Sequence, residues 1–220
     1  MNKLLALIMV GFLSGLTTSE ALPSMRHGKA VSSRALVIGF VGGVRSPNDL
    51  KQGVVQIGNR LKSIHNPELQ VELYRHWHWK KAYDLIYQNV DLNRDEEISN
   101  EELELAPRIV IYGHSLGGWA VIKLSRSLEK ICVPVELTVQ IDSVGIGDEK
   151  IPSNVKFAAN FYQRSNMLLR GEDKLKVENE GKTIVLGNFL IKGVGHEAVA
   201  RGSEISDFLT EKVRSICEIP

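Results

Sequence analysis

The stretch IVIYGHSLGGWAVIK, running from Ile109 to Lys123, decides how this chain folds. Ile109, Val110 and Ile111 form a β-branched run suited to a strand, and Trp119, Ala120, Val121, Ile122 and Leu124 continue as an apolar helix. Between them lies Gly113-His114-Ser115-Leu116-Gly117-Gly118. The chain therefore reads as strand, sharp turn and helix, with one serine at the apex. Glycine on both sides of that serine fits a turn whose backbone packs so closely on its neighbours that no Cβ has room. Such a turn lifts the seryl oxygen above the sheet edge. The competing reading is a glycine-rich connection in a doubly wound sheet, with the same shape and no chemistry.

A serine hydroxyl is a poor nucleophile until a base takes its proton, and the base needs a third group to hold its tautomer. Apart from His114 inside the turn, His196 is the only histidine after Ser115. It follows the last apolar strand in the segment Gly193-Val194-Gly195-His196, where a base can project over the nucleophile. For the acid, Asp142 closes the strand read from Val133 to Ile141, and ligands in open α/β sheets collect at such carboxyl ends. Asp148 and Asp173, both in polar loops, are the alternatives. Ala35 to Phe40 is a continuous apolar run, the mark of a buried parallel strand, and it ends in Phe40-Val41-Gly42-Gly43. A developing oxyanion needs a backbone N–H from that loop and one from the residue after the nucleophile. The two donors are assigned to Val41 and Leu116, with Phe40 or Gly42 as one-residue slips of the first.

Around this centre the remaining elements follow from periodicity. Ser46-Pro47-Asn48-Asp49 reads as a helix start, followed by Leu50, Val54, Ile57, Leu61 and Ile64 on one face. Leu69 to Tyr74 alternates, as a strand near the sheet edge does. If the strand continued through His76-Trp77-His78-Trp79, the two histidines would share a face and could hold a metal. No comparable third ligand lies nearby, so this segment is read as an aromatic and polar rim at the site mouth. Asn154 to Tyr162 and Thr183 to Ile191 are further strands, and Gly171 to Lys182 is a charged loop. A last amphipathic helix from about Ser203 presents Ile205, Phe208, Leu209, Val213 and Ile216 to the sheet.

Trp79 to Val90 reads as a helix that runs into Asp91-Leu92-Asn93-Arg94-Asp95-Glu96-Glu97-Ile98-Ser99-Asn100-Glu101-Glu102. Oxygen ligands fall at loop positions 1, 3, 5, 9 and 12, namely Asp91, Asn93, Asp95, Ser99 and Glu102, with Glu97 at position 7 to offer its carbonyl. The loop resembles the EF-hand family at every position but the sixth, where Glu96 replaces the glycine of the sharp turn. That resemblance implies a calcium ion held as structure, upstream of the nucleophile strand, at a site weakened by Glu96. An acidic solvated helix cap is the other reading. Pro107 keeps the following helix short.

Composition bounds the rest. The 220 residues suffice for one α/β domain, and a net charge of +1 with no basic stripe speaks against nucleic-acid binding. Lys3 followed by an apolar run from Leu4 to Leu16, then Ser19-Glu20-Ala21, reads as a cleavable signal peptide over residues 1–21. That places the mature chain, 22–220, in the periplasm or outside the cell, with no membrane span once the leader is gone; an uncleaved anchor is the alternative. In such a compartment Cys132 and Cys217 can pair or stand as separate thiols.

On Ser115, Asp142, His196 and the Phe40-Val41-Gly42-Gly43 loop, the mature chain resembles the α/β-hydrolase superfamily. The segments Tyr112 to Gly118, Leu137 to Val144 and Asn160-Phe161-Tyr162-Gln163 look like an exported bacterial hydrolase group with an EF-hand-like loop before the nucleophile turn. The resemblance implies a minimal, mostly parallel doubly wound sheet without a large cap domain. It also implies Asp142 and His196 as acid and base, hydrolysis of small acyl esters or thioesters, and no organic cofactor. The site is expected to be open, with Ser165 to Lys182 the segment able to fold over it. Trp77, Trp79, Phe40 and Trp119 are candidates for an acyl lining, Trp119 being read rather as helix core. The competing functions are a non-catalytic, calcium-stabilised binding module and an acyltransferase.

Overall fold

The computed structural model describes residues 34–165 and 169–218, so the expected leader over 1–21 lies outside the described residues. The chain runs β1 (Ala35–Val41), α1 (Gly53–Lys62), β2 (Leu69–Arg75), a 3-10 turn (His76–His78), α2 (Trp79–Val90), α3 (Asn100–Leu105), β3 (Arg108–His114) and α4 (Leu116–Glu129). It continues through β4 (Val135–Ile141), β5 (Lys150–Ile151), β6 (Val155–Tyr162), β7 (Lys176–Val177), β8 (Ile184–Leu190), α5 (His196–Val199) and α6 (Ser203–Ile216). Six strands form one sheet in the order β2-β1-β3-β4-β6-β8, and every neighbouring pair is parallel.

A parallel sheet needs crossover connections, and these put helices on both faces. The burial of β1 follows that demand, since all seven of its residues are inaccessible to solvent. Ala35, Val37 and Val41 join the core beneath α1 and α6, while Leu36, Ile38 and Phe40 join the core beneath α2 and α4. Each fully buried side chain of this kind, Ile38 or Leu124 for example, contributes roughly 1.5–3 kcal/mol. Tyr112 of β3 is also fully buried, and its hydroxyl donates to the Val54 carbonyl at 2.9 Å, which fastens α1 to the central strand. This is the doubly wound sheet of the α/β-hydrolase type, and among the described residues it carries no large cap domain.

Register brings the strand ends together. Phe40 lies opposite Gly113, His114 opposite Ile141, and Ile141 opposite Phe161. The residues immediately past β1, β3, β4 and β6 therefore share one rim, which is where side chains from distant parts of the sequence can meet.

Two local expectations are corrected, and the metal reading already set aside at His76 and His78 loses its premise. Helix α1 begins at Gly53, not near Ser46: the Ser46 and Asp49 side chains accept from the N–H groups of Asn48 and Lys51, two residues on, and make turns instead of a cap. Leu50 is consequently exposed. His76 to His78 form a 3-10 turn rather than a strand, so the two histidines do not share a pleated face. The loop from Gly171 to Lys182 contains β7, which pairs in parallel with β5 in a separate small ladder. Cys132 is exposed, Cys217 is buried, and both are free thiols. No helix among the described residues is long and apolar enough to cross a membrane.

Candidate active site

Ser115 stands between β3 and α4 at φ 59°, ψ −127°, a left-handed conformation that costs a side-chain-bearing residue of order 1–3 kcal/mol and needs surrounding structure to hold it. That structure is visible. The Ser115 N–H donates to the Ile141 carbonyl at 3.0 Å, and its own carbonyl accepts from Gly118 N–H at 2.9 Å. A Cβ on Gly113 would lie 2.3 Å from the Gly117 carbonyl oxygen, and one on Gly117 would lie 2.1 Å from that of Phe40. Both glycines of the turn are thus required by close backbone approach, as the sequence pattern implies.

Ser115, His196 and Asp142 meet at this rim. His196 Nε2 lies 2.9 Å from Ser115 Oγ, and His196 Nδ1 lies 2.7 Å from Asp142 Oδ2. Asp142 is wholly buried directly after β4, where its N–H donates to the Phe161 carbonyl. Burial alone would raise its carboxyl pKa. Hydrogen bonds from His196, from Gln163 Nε2 at 2.9 Å and from Gly171 N–H at 2.8 Å outweigh that and hold it below the ordinary carboxylate value. An acceptor-only carboxylate fixes the proton of the imidazole on Nδ1, leaving Nε2 with its lone pair toward the seryl hydroxyl.

The two rival acids have other partners. Asp148 is buried on the loop after Asp142 and accepts from Ser143 Oγ and from Gly145 N–H at 2.7 Å, with burial raising its pKa. Asp173 pairs with Arg164 at 3.1 Å on the surface. Neither is bonded to His196.

Three contributors carried no role in the sequence reading. Gln163, directly after β6, donates to Asp142 and also to the Leu169 carbonyl, which links Leu169, within the segment expected to fold over the site, to the acid through one side chain. Gly171 adds its N–H to the same carboxylate. His114 is buried, its ring 4.7 Å from that of His196, and its Nε2 lies 2.7 Å from the His196 carbonyl oxygen. Burial first, then the neighbouring His196, lowers its pKa to about 4, so the ring is neutral and Nε2–H donates. Such partners leave little trace in a sequence, because Gln163 and Gly171 act from loops and His114 looks like filler inside the turn.

Leu116 opens α4, where a backbone N–H has no helical partner before it. Gly42 faces it: a Cβ there would lie 2.5 Å from the His114 carbonyl oxygen, 2.7 Å from Ser115 Cβ and 3.2 Å from Leu116 N. The Val41–Gly42 backbone and the start of α4 therefore flank the serine, as an oxyanion site built from Val41 and Leu116 requires. Beside them an open apolar cleft is lined by His76, Leu116, Trp119, Val144, Gly145 and Ile146. Of the four aromatics considered for such a lining, Trp119 contributes. Phe40 is fully buried beneath the sheet, Trp79 faces Lys80 and Lys123 elsewhere, and Trp77 does not line this cleft.

In the loop from Asp91 to Glu102, Arg94 and Glu96 have φ of 62° and 67°, the left-handed turn that favours glycine at the sixth position. Asn93 and Asp95 accept from the N–H groups of Asp95 and Glu97, and Asp91 Oδ2 accepts from Glu96 N–H. Glu102 accepts from Ser99 N–H and Oγ and from the N–H groups of Asn93 and Leu92, which lowers its pKa and forms a reciprocal cap with Ser99. No three His, Cys, Asp or Glu side chains among the described residues converge as metal ligands. Asp91 Oδ1, however, is buried without a hydrogen-bond partner, an anionic oxygen that a cation would satisfy. The donor set of carboxylates, amide and hydroxyl oxygens matches a hard divalent cation in kind.

No family profile and no curated protein matches the sequence. Among solved structures, the chain is similar to Est1E from Butyrivibrio proteoclasticus, with 12% identity, TM-score 0.47, and 84% of this chain and 89% of that one covered. A Xanthomonas campestris pv. campestris protein assigned to the alpha/beta hydrolase superfamily matches at 13% identity and TM-score 0.47, covering 83% of this chain and 99% of the other. A cutinase-like protein from Cryptococcus sp. matches at 12% identity and TM-score 0.41, over 86% and 92%. At such distances the likeness is one of fold, and the fold class rests on this chain's own strand order and serine turn.

Proposed function

We propose that this protein is a serine hydrolase of acyl esters or thioesters. The observation that carries the reading is the unbroken hydrogen-bonded chain from Ser115 Oγ through both nitrogens of His196 to the buried Asp142 carboxylate. In this mechanism His196 Nε2 takes the seryl proton as Oγ attacks the acyl carbon, and Asp142 stabilises the imidazolium that forms. The N–H groups of Val41 and Leu116 bind the oxyanion. As the carbon–oxygen or carbon–sulfur bond to the leaving group breaks, His196 returns the proton to that atom. Water activated by His196 then cleaves the acyl-serine, restoring the hydroxyl and releasing the acid. Esters and thioesters are favoured over amides because an alkoxide or thiolate leaves the tetrahedral carbon more readily than an amide nitrogen does.

A fluorophosphonate probe tests this directly. The wild-type chain is expected to be labelled at Ser115 and to turn over p-nitrophenyl acetate, and Ser115→Ala to do neither while melting as wild type does. Equal labelling of the alanine variant would remove the nucleophile assignment.

The loop from Asp91 to Glu102 is proposed as a structural calcium site. Asp91, Asn93, Asp95, Ser99 and Glu102 would hold the ion through side chains and Glu97 through its carbonyl, with no part in bond cleavage. What supports it is the ligand spacing together with the unpartnered, buried Asp91 oxygen.

A further inference from the structure

We infer that the cleft beside Leu116 receives the acyl chain of the substrate, that this chain is linear and of medium length, and that the contact of Trp119 with Gly145 sets where it ends. This inference rests on the hydrolase reading and specifies its substrate.

The direction of the cleft assigns the acyl half of the ester. The leaving atom must reach His196 Nε2 to be protonated, so the alcohol departs on the His196 side. The cleft is lined by His76, Leu116, Trp119, Val144, Gly145 and Ile146, and by no residue from 193 to 197. Its lining includes Leu116, whose N–H is assigned to the oxyanion, and does not include the base. A carbon chain attached to the reacting carbonyl is the part of the substrate that lies there.

The cleft's character gives the chemistry of its occupant. Five of the six lining residues are apolar or glycine, and the sixth, His76, has its pKa lowered, first by burial, so it presents a neutral ring. Its volume is about 450 Å³. A closed apolar cavity of about 150 Å³ accommodates one benzene ring, so this open cleft, about three times that volume, has room for a chain of at least roughly eight carbons. Ile146, almost completely exposed at the lip, would cover the chain's solvent side.

One wall is held rigidly. Asp148 accepts from Ser143 Oγ and Gly145 N–H, and its carbonyl accepts from Gln140 Nε2 at 2.8 Å, which fixes the segment carrying Val144, Gly145 and Ile146. Gly145 rests directly on the indole: a Cβ there would lie 2.4 Å from Trp119 Cβ and 2.6 Å from its Cδ1. An alanine at 145 must displace the ring, and the open side of the ring is the cleft.

The test uses two ester series on the full chain: p-nitrophenyl esters from acetate to dodecanoate, and acetates of alcohols of graded length. The expected result is a rise in kcat/KM of about two- to fourfold per added acyl methylene, levelling at about eight carbons or beyond, with the alcohol series changing less than about threefold. Gly145→Ala should lower the octanoate-to-acetate ratio about tenfold, and Trp119→Ala should move the plateau to longer chains. A flat acyl series, a steep alcohol series, or an unshifted profile in both variants would overturn the assignment. Octanoate binding to Ser115→Ala, followed by calorimetry, reads the cleft without turnover: saturable binding weakened at least fivefold by Gly145→Ala supports it, and absence of binding overturns it. If the probe fails to label wild type while octanoate still binds, the hydrolase reading fails and the cleft stands. If labelling succeeds and chain length has no effect, the cleft assignment alone fails.

Discussion

Acid should weaken this fold through His114, and the size of the effect can be worked from its surroundings. The ring is buried beneath the His196 backbone, and its Nε2–H donates to the His196 carbonyl at 2.7 Å. Its pKa is lowered from 6.5 to about 4, by burial first and by the adjacent His196 second. The unfolded chain therefore binds a proton below pH 6.5 that the folded chain refuses until about pH 4, so stability is lost as pH falls through that window. The full gap corresponds to roughly 3 kcal/mol, of which about 2.5 kcal/mol is lost between pH 7 and pH 4.5. His76, also lowered, adds loss of the same sign. Asp148, whose pKa is raised by burial, opposes it, because its folded form is the better proton acceptor. Comparison with His114→Gln isolates the one residue, since a glutamine amide can still donate to the same carbonyl and cannot titrate. Urea unfolding at pH 7 and pH 4.5 should show wild type losing about 2.5 kcal/mol more than the variant, or about 5–10 °C in thermal midpoint. Parallel losses in the two proteins, within about 1 kcal/mol, would refute a neutral, buried His114 as the source.

Asp142→Asn should reduce kcat for p-nitrophenyl acetate about 10³- to 10⁴-fold, because an amide would disturb the His196 tautomer while leaving its position; steady-state kinetics check it, and near-wild-type turnover would point to a different acid. Gly42→Ala puts a methyl 2.5 Å from the His114 carbonyl oxygen and 2.7 Å from Ser115 Cβ, so the oxyanion backbone must move. A fall in kcat of about 10²-fold with KM nearly unchanged is expected, as for loss of one oxyanion donor. Calcium should raise the melting temperature of wild type and raise it further in Glu96→Gly, which relieves a side chain held at φ 67°. Asp91→Ala combined with Glu102→Ala should abolish the shift, and identical melts in calcium and in chelator would remove the metal site.

Much of this was legible in the order of residues along the chain. The turn around Ser115 was readable because its glycines answer a local steric demand, and the contacts of Gly113 with Gly117 and of Gly117 with Phe40 are that demand in three dimensions. The continuous apolar run of β1 announced a strand covered on both faces, and all seven of its residues are buried. The scarcity of histidine after Ser115 singled out His196. Where side chains serve local turns the reading slipped: Ser46 and Asp49 look like a helix start and instead bend the chain before it.

Periodicity and steric pattern, being properties of neighbours in sequence, therefore determined the strands, most of the helices and the position of the serine. Which of Asp142, Asp148 and Asp173 lies within reach of His196 was decided only by the folded sheet, because all three are ordinary carboxylates until register sets one beside His196, one over Ser143 and one against Arg164. The same holds for Gln163, Gly171 and His114, whose partners lie in other elements and are fixed by how parallel strands align at their carboxyl ends.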